Sequence, residues 1–286
     1  MKAVLNIALP LVAIAALFVG CRDDVESERV VWPTMGTVAA LQTKGDRDGV
    51  KGGKLLVETL SVFKDVEDLL NAHNHESEIC RLAPQPDAQV LRQCAIKTKS
   101  CYEAAFALAT ATDGAFNPRW RGEGTLDLGA IAKGFAVDLA CDAIEGVATD
   151  VPCLVDLGGN VKSVRGSWRT GVRNPNGEGF AAVVDLHEGE ALATSATYFR
   201  GAHIYDGRTN KPVENDVASV TVLCRSAMWA DGLSTSLFVL GVNDGRKFLD
   251  ERLRIPSSAG YVAALWILKD GRKIVHPASE SARYNF

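Results

Sequence analysis

Residues 125–140 read TLDLGAIAKGFAVDLA, and the reading of this stretch decides both fold and site. Leu126 and Leu128 flank Asp127 with strand-like alternation, Gly129 frees the backbone to turn, and Ile131 to Ala140 continue at helical spacing. The segment therefore predicts a strand, a tight joint and a helix. The first turn of such a helix carries unpaired backbone N–H groups and the positive end of the dipole, a setting suited to phosphate oxygens. Lys133 falls in that turn. A lysine there works against the dipole, so it predicts a compensating anion beside it. Taken alone, the same pattern also describes a buried strand–turn–helix with a surface lysine.

Around this segment the chain has 286 residues, 47% hydrophobic and 23% charged, enough for one large domain or two small ones. A net charge of −4 leaves no basic footprint, so nucleic acid is not an expected partner. Residues 1–20 are one lysine and an apolar run broken by Pro10, the layout of a secretory signal. Cys21 follows Val19-Gly20, with Phe18 where leucine is more usual. This resembles a bacterial lipobox and predicts a lipidated Cys21, a tether over 21–30 and a domain over 31–286. The protein would then be held to the bacterial envelope membrane by its lipid, facing the periplasm or other extracytoplasmic side. The six further cysteines permit disulfides in that compartment, including a local bridge among Cys80, Cys94 and Cys101. They contain no CxxC pair, which argues against zinc.

Along the domain, VWPTMGTVAALQT (31–43) reads as a strand with Gly36 inside it as a bulge or close approach. Residues 54–73 place Leu55, Leu56, Leu60, Phe63, Val66, Leu69 and Leu70 on one helical stripe, and 99–112 form a second helix. CLVDLGGNVKSV (153–164) is a strand meeting a Gly158-Gly159 turn. Short strands follow in 167–175, 181–189, 190–200 and 217–224. Residues 227–241 read as a helix with Gly241 at its C-cap, and 261–276 as a hairpin around Asp270-Gly271. Hairpin-linked strands with a few covering helices indicate an α+β fold with a mixed or antiparallel sheet core.

Two more constellations bear on chemistry. Asp231 and Thr235 are four apart and share one helix face. A carboxylate and a hydroxyl form a sparse oxygen set suited to Mg²⁺, which completes its shell with water and substrate phosphate. A dipole-stabilising Asp and a self-bonded Thr would look the same. Thr194, Ser195, His203 and Asp206 form the other group. His203 is a candidate general base or phosphate donor, or a strand-end histidine before an Asp206-Gly207 turn. No Gly-x-Ser-x-Gly elbow is present, so a Ser-His-Asp hydrolase is not supported.

The order of MGT (35–37), TDGAFN (112–117), LDLGAIAKGFAVD (126–138), LVDLGGNV (154–161), LATS (192–195), HIYDGRTNKP (203–212) and SVTVLC…ADGLSTSLFVLG (219–241) resembles the ApbE family over about residues 31–245. These are FAD:protein FMN transferases, often exported lipoproteins. The resemblance implies Mg²⁺-dependent cleavage of the FAD pyrophosphate. FMN would be attached to a Thr or Ser of an acceptor protein, such as a subunit of a respiratory redox complex, and AMP released. It implies flavin-nucleotide contacts from Met35, Ala115, Phe116 and Asn117, and FAD contacts from Asp127, Lys133 and Ile204. Mg²⁺ would bind the Ala130 main-chain oxygen, Asp231 and Thr235, and His203 would assist the attacking hydroxyl. Three departures stand out. Only eight residues, 118–125, separate Asn117 from Leu126, where the family has a longer segment that helps cover the cofactor. TSGDY becomes Thr194-Ser195-Ala196-Thr197-Tyr198, and HIIDPRTG becomes HIYDGRTN. Hydrolysis of FAD by water, or a catalytically weakened flavin-binding lipoprotein favoured by the short segment, are the alternative expectations.

Overall fold

The structure, a computed structural model, describes residues 27–46, 49–147, 150–197, 204–254 and 256–286. The first part of the chain forms β1 (Ser27–Thr34), β2 (Thr37–Lys44), α1 (Val50–Leu70), α2 (Glu78–Leu82), α3 (Asp87–Gln93), α4 (Ile96–Ala111) and α5 (Gly129–Glu145). Strands β3 (Cys153–Leu157), β4 (Asn160–Arg165), β5 (Trp168–Arg173), β6 (Phe180–Leu186) and β7 (Ala191–Ala196) follow. Next come β8 (Tyr205–Asp206), β9 (Lys211–Pro212), β10 (Val217–Cys224) and α6 (Ala227–Lys247). The chain closes with β11 (Ala263–Leu268), β12 (Lys273–His276) and β13 (Tyr284–Asn285). Eight strands form one antiparallel sheet in the order β1-β2-β3-β4-β7-β10-β11-β12, and β13-β6-β5 form a small second sheet. The architecture is α+β, as the element pattern predicts.

Side-chain alternation sorts the core into two layers. Val155, Leu157, Ala191, Ala193, Val220 and Val222 join the helices, with Leu55 and Phe63 of α1, Leu108 of α4, Ile131 of α5 and Leu237 of α6. Their strand neighbours Leu154, Leu192, Leu223 and Leu265 join Trp168, Val172, Val184 and Leu186 of the small sheet. Every residue of β10 is buried because both faces are covered, so that even its two polar residues, Ser219 and Thr221, are fully enclosed.

Several expectations need correction. Residues 27–30, read as tether, pair with 41–44 in β1; Trp32 of the same strand lies against Phe63. Residues 31–43 are not one strand but a hairpin. Met35 (φ 47°) and Gly36 (φ 67°) form its two-residue turn, the left-handed pair that matches strand twist. Residues 125–128 form no strand, because Asp127 N–H bonds the Pro118 carbonyl at 2.8 Å rather than a neighbouring ladder. Cys80, Cys94, Cys101, Cys141, Cys153 and Cys224 are all free thiols, so the local bridge is absent and four of them pack as buried apolar groups. Gly241 (φ 73°, ψ −173°) does break helical geometry, yet α6 resumes beyond it to Lys247. Asn215 Nδ2 donates to the Phe238 carbonyl at 2.8 Å beside that break. Cys21 lies outside the described residues. Among the described residues no helix is long and apolar enough to cross a membrane.

Candidate functional site

The site exists because α5 and α6 touch backbone to backbone. A Cβ on Gly134 would sit 2.1 Å from the Ala227 carbonyl oxygen and 2.8 Å from Asp231 Cβ, so only glycine permits this crossing. One turn further along α5, Asp138 caps α6. Its Oδ1 accepts the Ala227 N–H at 2.9 Å, and its Oδ2 accepts the Met228 N–H at 3.0 Å and the Ser226 hydroxyl at 2.7 Å. A carboxylate at a helix N-terminus satisfies orphan donors and meets the positive dipole end. Lys162 completes the cluster, with Nζ 2.8 Å from Asp138 Oδ1. These contacts fix where α6 begins, and Asp231 follows one turn later.

Asp231 is 5% exposed. Burial pushes its carboxyl above the usual range, opposed chiefly by the Lys133 charge and the Gly134 N–H. Its Oδ2 accepts the Gly134 N–H at 2.9 Å and lies 3.4 Å from Lys133 Nζ, and the Lys133 backbone N–H also bonds the carboxyl. The anion expected opposite Lys133 is therefore supplied by the protein itself. Lys133 Nζ also donates to the Gly129 carbonyl at 2.9 Å. The regular helical acceptor of the Gly134 N–H is the Ala130 carbonyl, so Asp231 competes for that proton and leaves the Ala130 oxygen less engaged. Beside it, Thr235 Oγ1 and Ser234 Oγ share Ser195 Oγ of β7, at 3.0 and 2.8 Å.

These groups open into a cleft of about 520 Å³. Ala115, Phe116, Asn117, Asp127, Ala130, Lys133, Ile204, Asp231 and Thr235 all line it. Met35 does not; it sits in the β1–β2 turn, packed against the core. His203 lies outside the described residues. Asp127 Oδ1 accepts the Gly129 N–H at 2.9 Å and its Oδ2 pairs with Arg121 at 3.2 Å, which holds the start of α5. The HIYDGRTN loop is stitched to the TDGAFN loop through Gly207 N–H to the Ala115 carbonyl, 3.1 Å. A Cβ on Gly207 would meet Asn117 Cβ at 2.2 Å, so the departure to glycine goes with a close approach. The shortened segment contributes a wall of its own. Trp120 stacks on Tyr205 with ring centroids 4.4 Å apart, and Arg121 lies over the Trp120 ring.

The large sheet is open beside the site. Among the described residues β4 and β7 pair only at Val161–Leu192 and Lys162–Ala191, while residues 193–196 of β7 pair with β10. Ser195 faces α6 on one side of the opening, and Thr194 bonds Thr221 at 2.9 Å on the other. Both line the cleft, which thus reaches both faces of the sheet.

Comparison with known proteins adds the decisive observation. The model of the ApbE family matches residues 119–257, the span that contains the α5–α6 crossing and its carboxylate. Over that span the chain is similar to the ApbE family. A FAD:protein FMN transferase of Vibrio cholerae is 26% identical over 92% of this chain and 95% of its own length. One from Klebsiella pneumoniae is 36% identical over 44% of this chain and 42% of its own, so the more similar match spans under half of that relative. In structure, the flavin transferase ApbE of Vibrio cholerae superposes with a TM-score of 0.74 at 22% identity, covering 90% of this chain and 99% of that one. The ApbE protein of Thermotoga maritima gives a TM-score of 0.75 at 22% identity, covering 90% and 99%.

The donor set at this crossing fits a hard divalent ion. Such an ion takes one or two protein oxygens and completes its shell with water and substrate phosphate. Asp231, the Thr235 hydroxyl and the Ala130 carbonyl would supply such oxygens.

Sequence reasoning missed Gly134, Asp138, Trp120, Arg121 and Asp156. Asp156, 6% exposed on β3, lines the cleft. Burial pushes its carboxyl up to about 6, against the Gly159 N–H and the Arg29 charge, which lower it. A raised carboxyl contributes stability that is present below its unfolded value of 3.8 and lost as pH rises through about 6. Asp156→Asn should therefore stabilise the protein by about 1–2 kcal/mol at pH 8 and lose that advantage by pH 4. Thermal melts at the two pH values check this; equal shifts at both would exclude Asp156 as the titrating group.

Proposed function

We propose that this chain cleaves FAD and transfers FMN to a Ser or Thr hydroxyl of an acceptor protein, with Mg²⁺ held by Asp231, Thr235 and the Ala130 carbonyl. The transferase activity is that of its FAD:protein FMN transferase relatives. The observation that carries the finer reading is the convergence of Ala130, Lys133, Asp231 and Thr235 on one cleft of dinucleotide scale. The acceptor oxygen forms a bond to the FMN-side phosphorus while the bond from that phosphorus to the bridging oxygen breaks. AMP leaves with the bridging oxygen and its electron pair, and the hydroxyl proton passes to a base, the role we assign to His203. When bound, the ion would neutralise charge growing on the phosphate oxygens.

The chain's own residues do the positioning. Lys133 lies within reach of both Asp231 and the first turn of α5, where phosphate oxygens are favoured. Asp127, Ala115, Phe116, Asn117 and Ile204 line the same cleft as nucleotide contacts, and the Trp120–Tyr205 stack adds an apolar wall. The location we propose is the bacterial envelope, with Cys21 lipidated and the domain on the extracytoplasmic side, where an acceptor such as a respiratory redox subunit would be met.

The test is to incubate the protein from residue 22 with FAD and Mg²⁺, with and without a flavin-acceptor domain, and to measure AMP and protein-bound fluorescence. AMP that appears only with acceptor supports transfer. AMP without acceptor assigns the site to hydrolysis, and tight FAD binding with no AMP assigns it to flavin binding alone. Lys133→Ala should weaken FAD binding about tenfold, the scale of one charge-assisted hydrogen bond. Unchanged affinity in a flavin-fluorescence titration would remove Lys133 from the phosphates.

A further inference from the structure

The hydroxyls beside the proposed cation site have an order that fixes where their protons lie. Ser195 Oγ of β7 is 3.0 Å from Thr235 Oγ1 and 2.8 Å from Ser234 Oγ. Ser234 Oγ donates in turn to the Asp231 main-chain carbonyl at 2.9 Å. Among the described residues these are three contacts made by three hydroxyls, and each hydroxyl has one proton. The last acceptor is a carbonyl with no proton to give, so the Ser234 proton is spent there. Ser195 must then donate to Ser234, and Thr235 to Ser195. No other assignment puts a proton in every contact.

This sets Thr235 apart from other hydroxyls on the helices. A helical Ser or Thr commonly returns its proton to the carbonyl four residues earlier. Thr59, Thr110 and Ser236 do so, over 2.8, 3.0 and 2.8 Å. For Thr235 that carbonyl is the one of Asp231, which Ser234 already engages, and the Thr235 proton crosses from α6 to β7 instead. Thr235 lines the cleft, and its oxygen is left with lone pairs alone. That is the state in which a hydroxyl ligates a hard cation. A proton turned into the cleft would oppose the ion.

We propose that Ser195 and Ser234 are positioning residues for the Thr235 ligand. A one-way hydroxyl relay runs from Thr235 through Ser195 and Ser234 to the Asp231 carbonyl, and it keeps the Thr235 oxygen open to the cation. The relay ends on the backbone of the residue whose carboxylate is the other side-chain ligand, so the two ligands are held as one unit. Ser234 is fully buried and is not among the described residues that line the cleft; it acts through Ser195. This inference rests on the cation site of the flavin-transfer reading and names what readies that site.

The experiment titrates Mn²⁺, as the probe for Mg²⁺, into the protein with FAD and no acceptor, and reads free Mn²⁺ by electron paramagnetic resonance. Ser195→Ala and Ser234→Ala should each weaken Mn²⁺ binding about tenfold, the scale of losing a hydrogen bond that orients a metal ligand. Because Ser234 acts through Ser195, the double variant should bind no more weakly than Ser195→Ala alone. Ser195→Thr keeps the hydroxyl and should hold the wild-type affinity. FAD affinity measured in EDTA should be unchanged in Ser234→Ala, since the relay serves the cation and not the nucleotide. Unchanged Mn²⁺ affinity in Ser234→Ala would overturn the proposal, as would losses that multiply in the double variant. FAD binding weakened as much in EDTA would make Ser234 a structural residue and overturn it too. Should Ser234→Ala fail to fold, the Ser195 variants decide. A loss in Ser195→Ala that Ser195→Thr avoids supports the relay, and equal affinity in wild type and Ser195→Ala overturns it. Wild type that binds FAD but no Mn²⁺ would refute the cation site itself, a result distinct from failure of the relay.

Discussion

Asp231→Asn should reduce Mg²⁺-dependent AMP release by about a thousandfold while leaving the melting temperature equal or higher. The activity loss follows from the donor set. Asp231 is the carboxylate that lines the cleft with Thr235 and Ala130, and a bound ion contributes several kcal/mol of charge stabilisation, or about three powers of ten in rate. The stability side follows from burial. A carboxylate 5% exposed is held in the fold at a desolvation cost. Asparagine keeps an oxygen for the Gly134 N–H, and Lys133 retains the Gly129 carbonyl. Opposite signs for activity and stability mark a residue retained for chemistry. Turnover across a Mg²⁺ titration, read beside a thermal melt, checks both. Retained turnover would take Asp231 out of the site, and a large drop in melting temperature would make it a structural residue.

How much of this was legible in the chain depends on where each signal is written. The helices over 54–73 and 99–112 and the hairpins at Gly158-Gly159 and Asp270-Gly271 were readable because their signals are local. Asp231 and Thr235 were readable for the same reason, since four residues on a helix define a shared face. The β1–β2 hairpin was not, because one of its two left-handed residues is Met35, a residue type that gives no turn signal. The strand expected at Leu126–Leu128 fails because both leucines are buried in the helical core with no strand beside them to pair. Lys133 within its own helix calls for an anion, but the carboxylate beside it, Asp231, sits on another helix 98 positions away. Gly134 and Asp138 were the deeper omissions. Each acts across the α5–α6 interface, and no spacing within one helix reports a contact with another. The opening between β4 and β7 is likewise a property of register, invisible until the strands are paired.

Asp138→Ala is expected to be the most destabilising single change, costing about 3–5 kcal/mol, because it strips one partner from a mostly buried ion pair and uncaps a helix at once. Asp138 receives two backbone N–H groups and the Ser226 hydroxyl at the start of α6, as well as Lys162. The Lys162 and Asp138 side chains are only 14% and 18% exposed. Alanine would leave the ammonium unpaired and three donors without an acceptor. Asp138 and its neighbouring anions hold the Lys162 amine above its ordinary value despite burial. A raised lysine contributes stability that is fully present below its unfolded value of 10.5 and lost only as pH passes through the higher folded one. The penalty for Asp138→Ala should therefore be constant from about pH 6 to 9. Asp138→Asn keeps an acceptor oxygen but not the charge, so it should fall between wild type and alanine. Urea unfolding at three pH values measures all of this, and a penalty under about 1 kcal/mol for alanine would contradict the capping role. Activity should decline with stability in this series even below the melting transition. The same contacts that start α6 determine where Asp231 stands one turn later, so a helix that begins a residue late brings the carboxylate to the cleft from the wrong face.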